Sequence, residues 1–254
     1  MTNLQAIFLG VLQGITEFLP ISSSGHLVLA ERFFHLEANL SFDVFLHLGT
    51  LLAVLIYFRT DWWRMLRAQS PQDRRLLFFL ILATIPGALA GFFLESMVEN
   101  LFRQPAQVAF MLALMSLPLL LAEVLGPKEG LLSRLRLPQA LAIGCAQGLA
   151  VIPGTSRSGI TMATGLLVGL SREEAARFSF LLSAPIIAGA GAYETLKLFR
   201  HGAGLDTSYF CGFLAAFISG YLVIAWLLHF LRRHTFYPFV VYRLLLAGVV
   251  YALL

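Results

Sequence analysis

The chain has 254 residues, of which 58% are hydrophobic and only 13% charged, and its mean hydropathy is +0.80. Soluble domains carry roughly 25% charged residues, so this composition excludes a soluble globule and predicts a polytopic membrane bundle. The formal net charge is +4, but the basic residues fall in short loops between apolar stretches, which is a positive-inside distribution and not a nucleic-acid face.

Taken in chain order, the apolar stretches are of two kinds. Six are long enough to cross a hydrocarbon core of about 30 Å with minor tilt: 42–58, 76–94, 106–125, 178–197, 208–231 and 236–254. Four are too short to span: 4–18, 22–35, 139–152 and 159–170. The short ones come in pairs broken by proline, serine and glycine, the pattern of a re-entrant hairpin that enters and leaves on one side. The first stretch lacks a basic n-region and a small-residue cleavage site, so no cleavable signal peptide is expected.

Loop charge sets the orientation. Arg59, Arg64, Arg67, Arg74 and Arg75 place the loop after the first span in the cytoplasm, and propagation puts Lys128, Arg134, Arg136, Arg172, Arg177, Arg232 and Arg233 on the same side. Arg32, Arg103, Lys197 and Arg200 fall opposite; twelve against four fixes both termini outside the cytoplasm.

The two polar interruptions are copies of one another. A gapless shift of 134 residues aligns Gly10 with Gly144, Gln13 with Gln147, Gly14 with Gly148, Ser22 with Ser156, Ser24 with Ser158 and Gly25 with Gly159. Phe42, Phe45 and Leu46 match Phe178, Leu181 and Leu182 with a two-residue slip. Three spans separate the copies, so they enter from opposite faces. The expected fold is all-α: six transmembrane helices plus two re-entrant helical hairpins in an inverted-topology repeat. It forms a single membrane domain, 1–254, with repeats of about 1–125 and 138–254. Broken helices in such folds meet near the midplane, with N-termini that favour an anion.

In the first copy Gln13 and Glu17 share a helical face at i, i+4, and Pro20 ends that helix. Ser22-Ser23-Ser24-Gly25-His26 forms the turn, and Ser22 suits an N-cap as well as a site role. Glu17, Ser23 and His26 together suit nucleophilic or general acid–base chemistry, since a hydroxyl needs a neighbouring base and a carboxylate can orient it or hold a metal. The second copy, Pro153-Gly154-Thr155-Ser156-Arg157-Ser158-Gly159-Ile160-Thr161, offers glycines for close backbone approach, donor hydroxyls and one guanidinium able to grip two phosphate oxygens. It lacks the terminal Gly-Lys-Ser/Thr of a Walker loop.

Other polar residues read as weaker candidates. Asp43 and His47 share a face at i, i+4 and fit either a cavity lining or a structural pair. Arg243 reads as snorkelling or paired with a carboxylate, and not as catalytic. Glu95, Glu99, Glu123 and Glu194 read as interfacial, and Trp62, Trp63, Tyr193, Tyr237 and Tyr242 as aromatic belts. His201, His229 and His234 show no metal-ligand spacing, and Cys145 and Cys211 read as two buried thiols.

Gln-Gly-Ile-Thr-Glu-Phe-Leu-Pro-Ile-Ser-Ser-Ser-Gly-His at 13–26 and Pro-Gly-Thr-Ser-Arg-Ser-Gly-Ile-Thr at 153–161 closely resemble the two signatures of the bacterial undecaprenyl-diphosphate phosphatase family. The resemblance extends through Phe42 to Ala53 and Phe178 to Pro185. It implies an integral enzyme of the bacterial plasma (inner) membrane that removes the terminal phosphate of undecaprenyl diphosphate, regenerates the lipid carrier of peptidoglycan synthesis and confers bacitracin resistance. It makes Glu17 and Arg157 the firmest site residues, followed by Ser23 and His26. Arg157 would clamp the diphosphate, supported by Ser156, Ser158 and Thr161; Gln13, Ser22, Ser24, Gly154 and Thr155 complete the substrate-binding set.

Glu17 would hold a divalent cation, Mg²⁺ or Ca²⁺, or orient the nucleophile. Gln13 stands where many members carry a second glutamate, which removes one carboxylate from a metal pair. Ser23 is the expected nucleophile, activated by His26 or Glu17, with His26 or water as alternatives. The implied partners are a polyprenyl diphosphate and membrane lipids, with a homodimer left open and nucleic acid excluded. The first hairpin enters from outside, so the headgroup is expected to enter from the periplasm. A lipid flippase or secondary transporter on the same inverted repeat is the alternative reading.

Overall fold

The computed structural model describes residues 1–35, 40–102, 104–200 and 206–254, with the side chains of 40, 41, 95, 96, 99, 100, 102, 194 and 197–200 excepted. Arg103 and His201 lie outside the described residues, as do the side chains of Glu95, Glu99, Glu194, Lys197 and Arg200.

Every named element among the described residues is helical. Each short stretch expected from the sequence is a separate helix that stops at a polar break. Helix α1 (Asn3–Phe18) ends before Pro20 and α2 (Ser23–Phe33) leaves the break. The loop between them cannot be helical, because proline lacks the N–H and pushes the residue before it to extended backbone; Leu19 accordingly has φ −71° and ψ 144°. The chain continues through α3 (Leu40–Tyr57), α4 (Arg59–Leu66), α5 (Pro71–Phe102), α6 (Pro105–Leu114) and α7 (Ser116–Leu125). The second half repeats the plan with α8 (Leu137–Gly148), a 3₁₀ turn (Leu149–Val151), a break through 152–156, α9 (Arg157–Leu167), α10 (Arg172–Arg200), α11 (Thr207–Leu231) and α12 (Tyr237–Ala252).

Among the described residues, four segments are long and apolar enough to cross a membrane: Pro71–Leu94, Pro105–Leu125, Arg172–Tyr193 and Thr207–Leu231. A fifth is obtained if α3 and α4 count as one span, although they meet at a 73° bend. The expected span 42–58 thus ends at Tyr57, where the sequence turns from Leu-Ile-Tyr to Arg59, Asp61 and Arg64 and the chain bends away. The expected span 236–254 is the 16-residue α12, about 24 Å long at 1.5 Å per residue and short of the hydrocarbon thickness.

The broken helices pack across the halves. Helix α1 lies against α11 and α8 against α5. A Cβ on Gly10 would stand 2.3 Å from the Gly212 carbonyl oxygen, and one on Gly144 would stand 2.3 Å from that of Ala83. The two matched glycines therefore serve the same purpose, letting one backbone approach the other where any side chain would hold them apart. Phe42, Leu46, Phe178, Leu181 and Leu182 are all buried in the bundle.

The outer surface is apolar: Phe92 is 79% exposed, Phe93 68% and Leu245 65%, a pattern suited to lipid and not to water. Cys145 is exposed on this surface and Cys211 is half-buried, both as free thiols. The expectation of two buried thiols is thereby corrected: an apolar stretch in a membrane bundle has an outward face as well as an inward one. Glu123 also departs from an interfacial role. It is only 2% exposed, accepts a two-point contact from Arg172 and the N–H of Phe236 at 2.9 Å, and has Lys128 at 3.8 Å. It fastens α7 to α10 and to the start of α12.

Candidate active site

The two breaks converge. Ser22 and Ser156 are the N-caps of α2 and α9, with φ of 74° and 72° and ψ of 97° and 105°. Positive φ is uncommon for a residue with a Cβ, so its recurrence at matched positions marks one local design. Each cap oxygen accepts the N–H of the glycine three residues on, Gly25 at 3.3 Å and Gly159 at 3.1 Å. Each also lies 3.3 Å from the hydroxyl of the serine two residues on, Ser24 or Ser158. Helix geometry leaves the first backbone N–H groups of both helices without an intrahelical acceptor, which makes the junction favourable to an anion.

Glu17 is the centre of the side-chain constellation and is 7% exposed. Its Oε2 accepts the Ser23 hydroxyl at 2.5 Å and the Gln13 amide N–H at 3.2 Å, and faces His47 Nε2 at 3.7 Å. Its Oε1 is bound by Arg157, whose other terminal nitrogen donates to the Ser179 carbonyl at 3.3 Å. Carboxylate, hydroxyl and guanidinium, drawn from both breaks, therefore meet at one point. His47 directs its Nδ1 to the backbone carbonyl of Asp43 at 2.8 Å, so it belongs to this constellation as well as bracing its own helix.

The other sequence-predicted residues separate into two groups. His26 turns away from Ser23: its Nδ1 lies 2.7 Å from the Ser22 carbonyl and its Nε2 2.7 Å from the Tyr242 hydroxyl, with the two rings stacked. Because a carbonyl only accepts, Nδ1 carries a proton, and in the neutral ring Nε2 then accepts from tyrosine. Tyr242 is thus more than a belt aromatic, though nothing in its span-like sequence context distinguished it. Ser158 donates to the Leu19 carbonyl at 2.8 Å, tying the second break to the first. Thr161 donates to the Arg157 carbonyl at 2.7 Å and lies 2.6 Å from the Ser179 hydroxyl. Gly154, at φ 89°, packs against α6, where a Cβ would stand 2.7 Å from the Val108 carbonyl oxygen. The close approach predicted for this glycine is therefore to protein backbone.

Arg243 is the residue that the sequence undervalued. It is fully buried, and its guanidinium donates to carbonyls and one hydroxyl, instead of snorkelling or pairing with a carboxylate as expected. Nε donates to the Leu112 carbonyl at 3.1 Å and the Ser116 hydroxyl at 3.2 Å. Nη1 reaches the carbonyls of Pro20 and Thr155 at 3.3 and 3.1 Å, and Nη2 those of Gly154 and Thr155 at 3.0 and 3.2 Å. An arginine inside an apolar span was the available signal.

The described residues contain no group of three or more histidine, cysteine, aspartate or glutamate side chains able to hold a metal ion. They do contain a buried amide oxygen without a partner, Gln13 Oε1, beside Glu17. Two hard oxygen donors suit Mg²⁺ or Ca²⁺ where substrate phosphates and water complete the shell.

The family model described as "Bacitracin resistance protein BacA" matches residues 6–249. The chain is 46% identical over 266 residues to an undecaprenyl-diphosphatase of Rubrobacter xylanophilus, covering 99% of this chain and 98% of that protein. It is 48% identical to proteins of the same name from Desulforudis audaxviator, over 97% of this chain and 95% of the relative, and from Moorella thermoacetica, over 99% and 98%.

Proposed function

We propose a division of labour at this site that proceeds from one fact: the chain belongs to the bacitracin resistance protein BacA family. It is a multi-pass membrane phosphatase that hydrolyses undecaprenyl diphosphate to undecaprenyl phosphate and inorganic phosphate, returning the carrier to peptidoglycan synthesis. The observation that carries the residue assignment is the 2.5 Å bond from the Ser23 hydroxyl to a carboxylate that also binds Arg157.

Phosphoryl transfer depends mainly on positioning and charge neutralisation. Arg157 and the N-termini of α2 and α9 hold the diphosphate, with Gln13, Ser22, Ser24, Gly154, Thr155, Ser156, Ser158 and Thr161 shaping the cradle. Glu17 takes the Ser23 proton as Oγ attacks the terminal phosphorus. The bond from that phosphorus to the bridging oxygen breaks, and undecaprenyl phosphate leaves with the electron pair. Water then opens the phosphoserine, Ser23 regains its proton from Glu17, and inorganic phosphate departs with both water protons.

His26, with both ring nitrogens engaged, orients the turn and pins Tyr242. A divalent cation, Mg²⁺ or Ca²⁺, fits Glu17 and Gln13 Oε1, and when bound it would neutralise charge on the diphosphate. Around this centre we place two re-entrant hairpins, α1–α2 and α8–α9, and six spans that include α3 and α12, in two inverted repeats of about 1–125 and 138–254. The matched N-caps and matched glycine contacts support the repeat. The loop charges support an inner-membrane orientation with the site open to the periplasm.

Purified protein should release phosphate from a polyprenyl diphosphate, and a rapid acid quench should trap phosphate on Ser23. Phosphate on His26, or on no residue, would overturn the choice of nucleophile. Release unaffected by Glu17→Ala and Arg157→Ala would overturn the site.

A further inference from the structure

The geometry points to Arg243 as the positioning residue that holds the nucleophile and the diphosphate clamp in register, an inference that rests on the site reading above. A guanidinium has five N–H donors. Two on Nη1 and two on Nη2 are spent on the carbonyls of Pro20, Gly154 and Thr155, and the fifth, on Nε, is shared between the Leu112 carbonyl and the Ser116 hydroxyl. No donor remains for a substrate oxygen, so Arg243 does not act as a second clamp. Its fork instead joins the first break, the second break and the joint between α6 and α7.

The residues it holds lie close to the chemistry in sequence. Pro20 precedes Ser23 by three positions, and Thr155 precedes Arg157 by two. Both breaks are fixed through their carbonyls. Two further hydrogen bonds join the halves of the site, Ser158 to the Leu19 carbonyl and Arg157 to Glu17. A planar fork suits this task, because a lysine would supply the charge at a single point and could not span both breaks. Gly159 completes the fit, since a Cβ there would stand 3.3 Å from Arg243 Nη1.

The test uses the full-length protein in lipid nanodiscs, with phosphate release from a polyprenyl diphosphate as readout and thermal unfolding as a control. Arg243→Lys keeps charge and bulk; kcat is expected to fall about 100-fold, the scale of a 1 Å misplacement, while KM stays within about threefold. Wild-type kcat in this variant would overturn the inference, because charge alone would then suffice. Arg243→Ala provides the second arm: millimolar guanidinium should raise its kcat about tenfold and methylammonium should not. Guanidinium is a denaturant, so rescue cannot be read as refolding; a folded Arg243→Ala protein without rescue would also overturn the inference. Ser23→Ala and Arg157→Ala run alongside. If they remain active the site reading falls, whereas inactive site variants beside a fully active Arg243→Lys protein would sink the positioning role alone.

Discussion

At Ser22 and Ser156 the two breaks have the same backbone, the same cap and the same glycine partner. One residue later they part: the first position of α2 is Ser23 and the first position of α9 is Arg157. Those two side chains occupy equivalent places in the two copies and meet on Glu17, whose own counterpart in the second copy is Val151. The shared positions thus build two matched helix N-termini, and the unshared ones, Glu17, Ser23 and Arg157, are those proposed as base, nucleophile and clamp. A symmetric frame acquires a direction because only one copy carries a carboxylate.

The sharpest way to break this comparison is to remove what is unshared. Glu17→Ala and Arg157→Ala should each lower phosphate release by about 10³-fold or more, since each deletes charge stabilisation or proton transfer at the reacting group. Arg157→Lys should recover little, because a point charge does not replace the fork. Steady-state phosphate assays on folded protein decide this; activity within tenfold of wild type would mean that the meeting of the copies on Glu17 is structural.

Much of this was legible in the sequence. The four short helices and the breaks between them follow from residue types that permit or forbid helix in hydrocarbon. Of the six long apolar stretches, four are helical and long enough to span among the described residues, with a fifth if the bent pair counts as one. Glu17, Ser23 and Arg157 stood out because such groups are costly at membrane depth. What was not legible depends on rotation and tertiary partners. His26 is four residues from Ser22 and so returns to that carbonyl, yet Tyr242 is 216 residues away. The acceptors of Arg243 likewise come from elements far apart in the chain. No pattern in one span shows that its arginine will face two loops of carbonyls.

A smaller effect sharpens the contrast at the next position of divergence, His26 against Ile160. If His26 orients the turn and Glu17 is the base, His26→Gln should keep one hydrogen bond and lower kcat by about tenfold, well short of the loss at Glu17. Tyr242→Phe should act in the same direction and more weakly, since it removes only the outer partner. Mass spectrometry of quenched enzyme should still place phosphate on Ser23 in both variants. A loss at His26→Gln as large as at Glu17→Ala would transfer the role of base to the histidine.

The smallest expected effect lies at a shared residue that has lost its carboxylate partner. Gln13 donates to Glu17 at 3.2 Å. Gln147, its match, is buried with neither Oε1 nor Nε2 bonded among the described residues, because Val151 stands where the carboxylate would be. The amide packs closely on α5, where a Cβ on Gly87 would stand 2.8 Å from Gln147 Nε2. A buried polar group without a partner costs about 1–3 kcal/mol, and methionine has nearly the same length without that cost. Gln147→Met should therefore raise the thermal unfolding temperature slightly, by about 1 kcal/mol of stability, and leave phosphate release unchanged. Gln13→Met should lower turnover, since it removes a donor from the carboxylate proposed as the base. Equal effects at the two positions would show that the copies still work alike there, and that Val151 did not release Gln147 from the site.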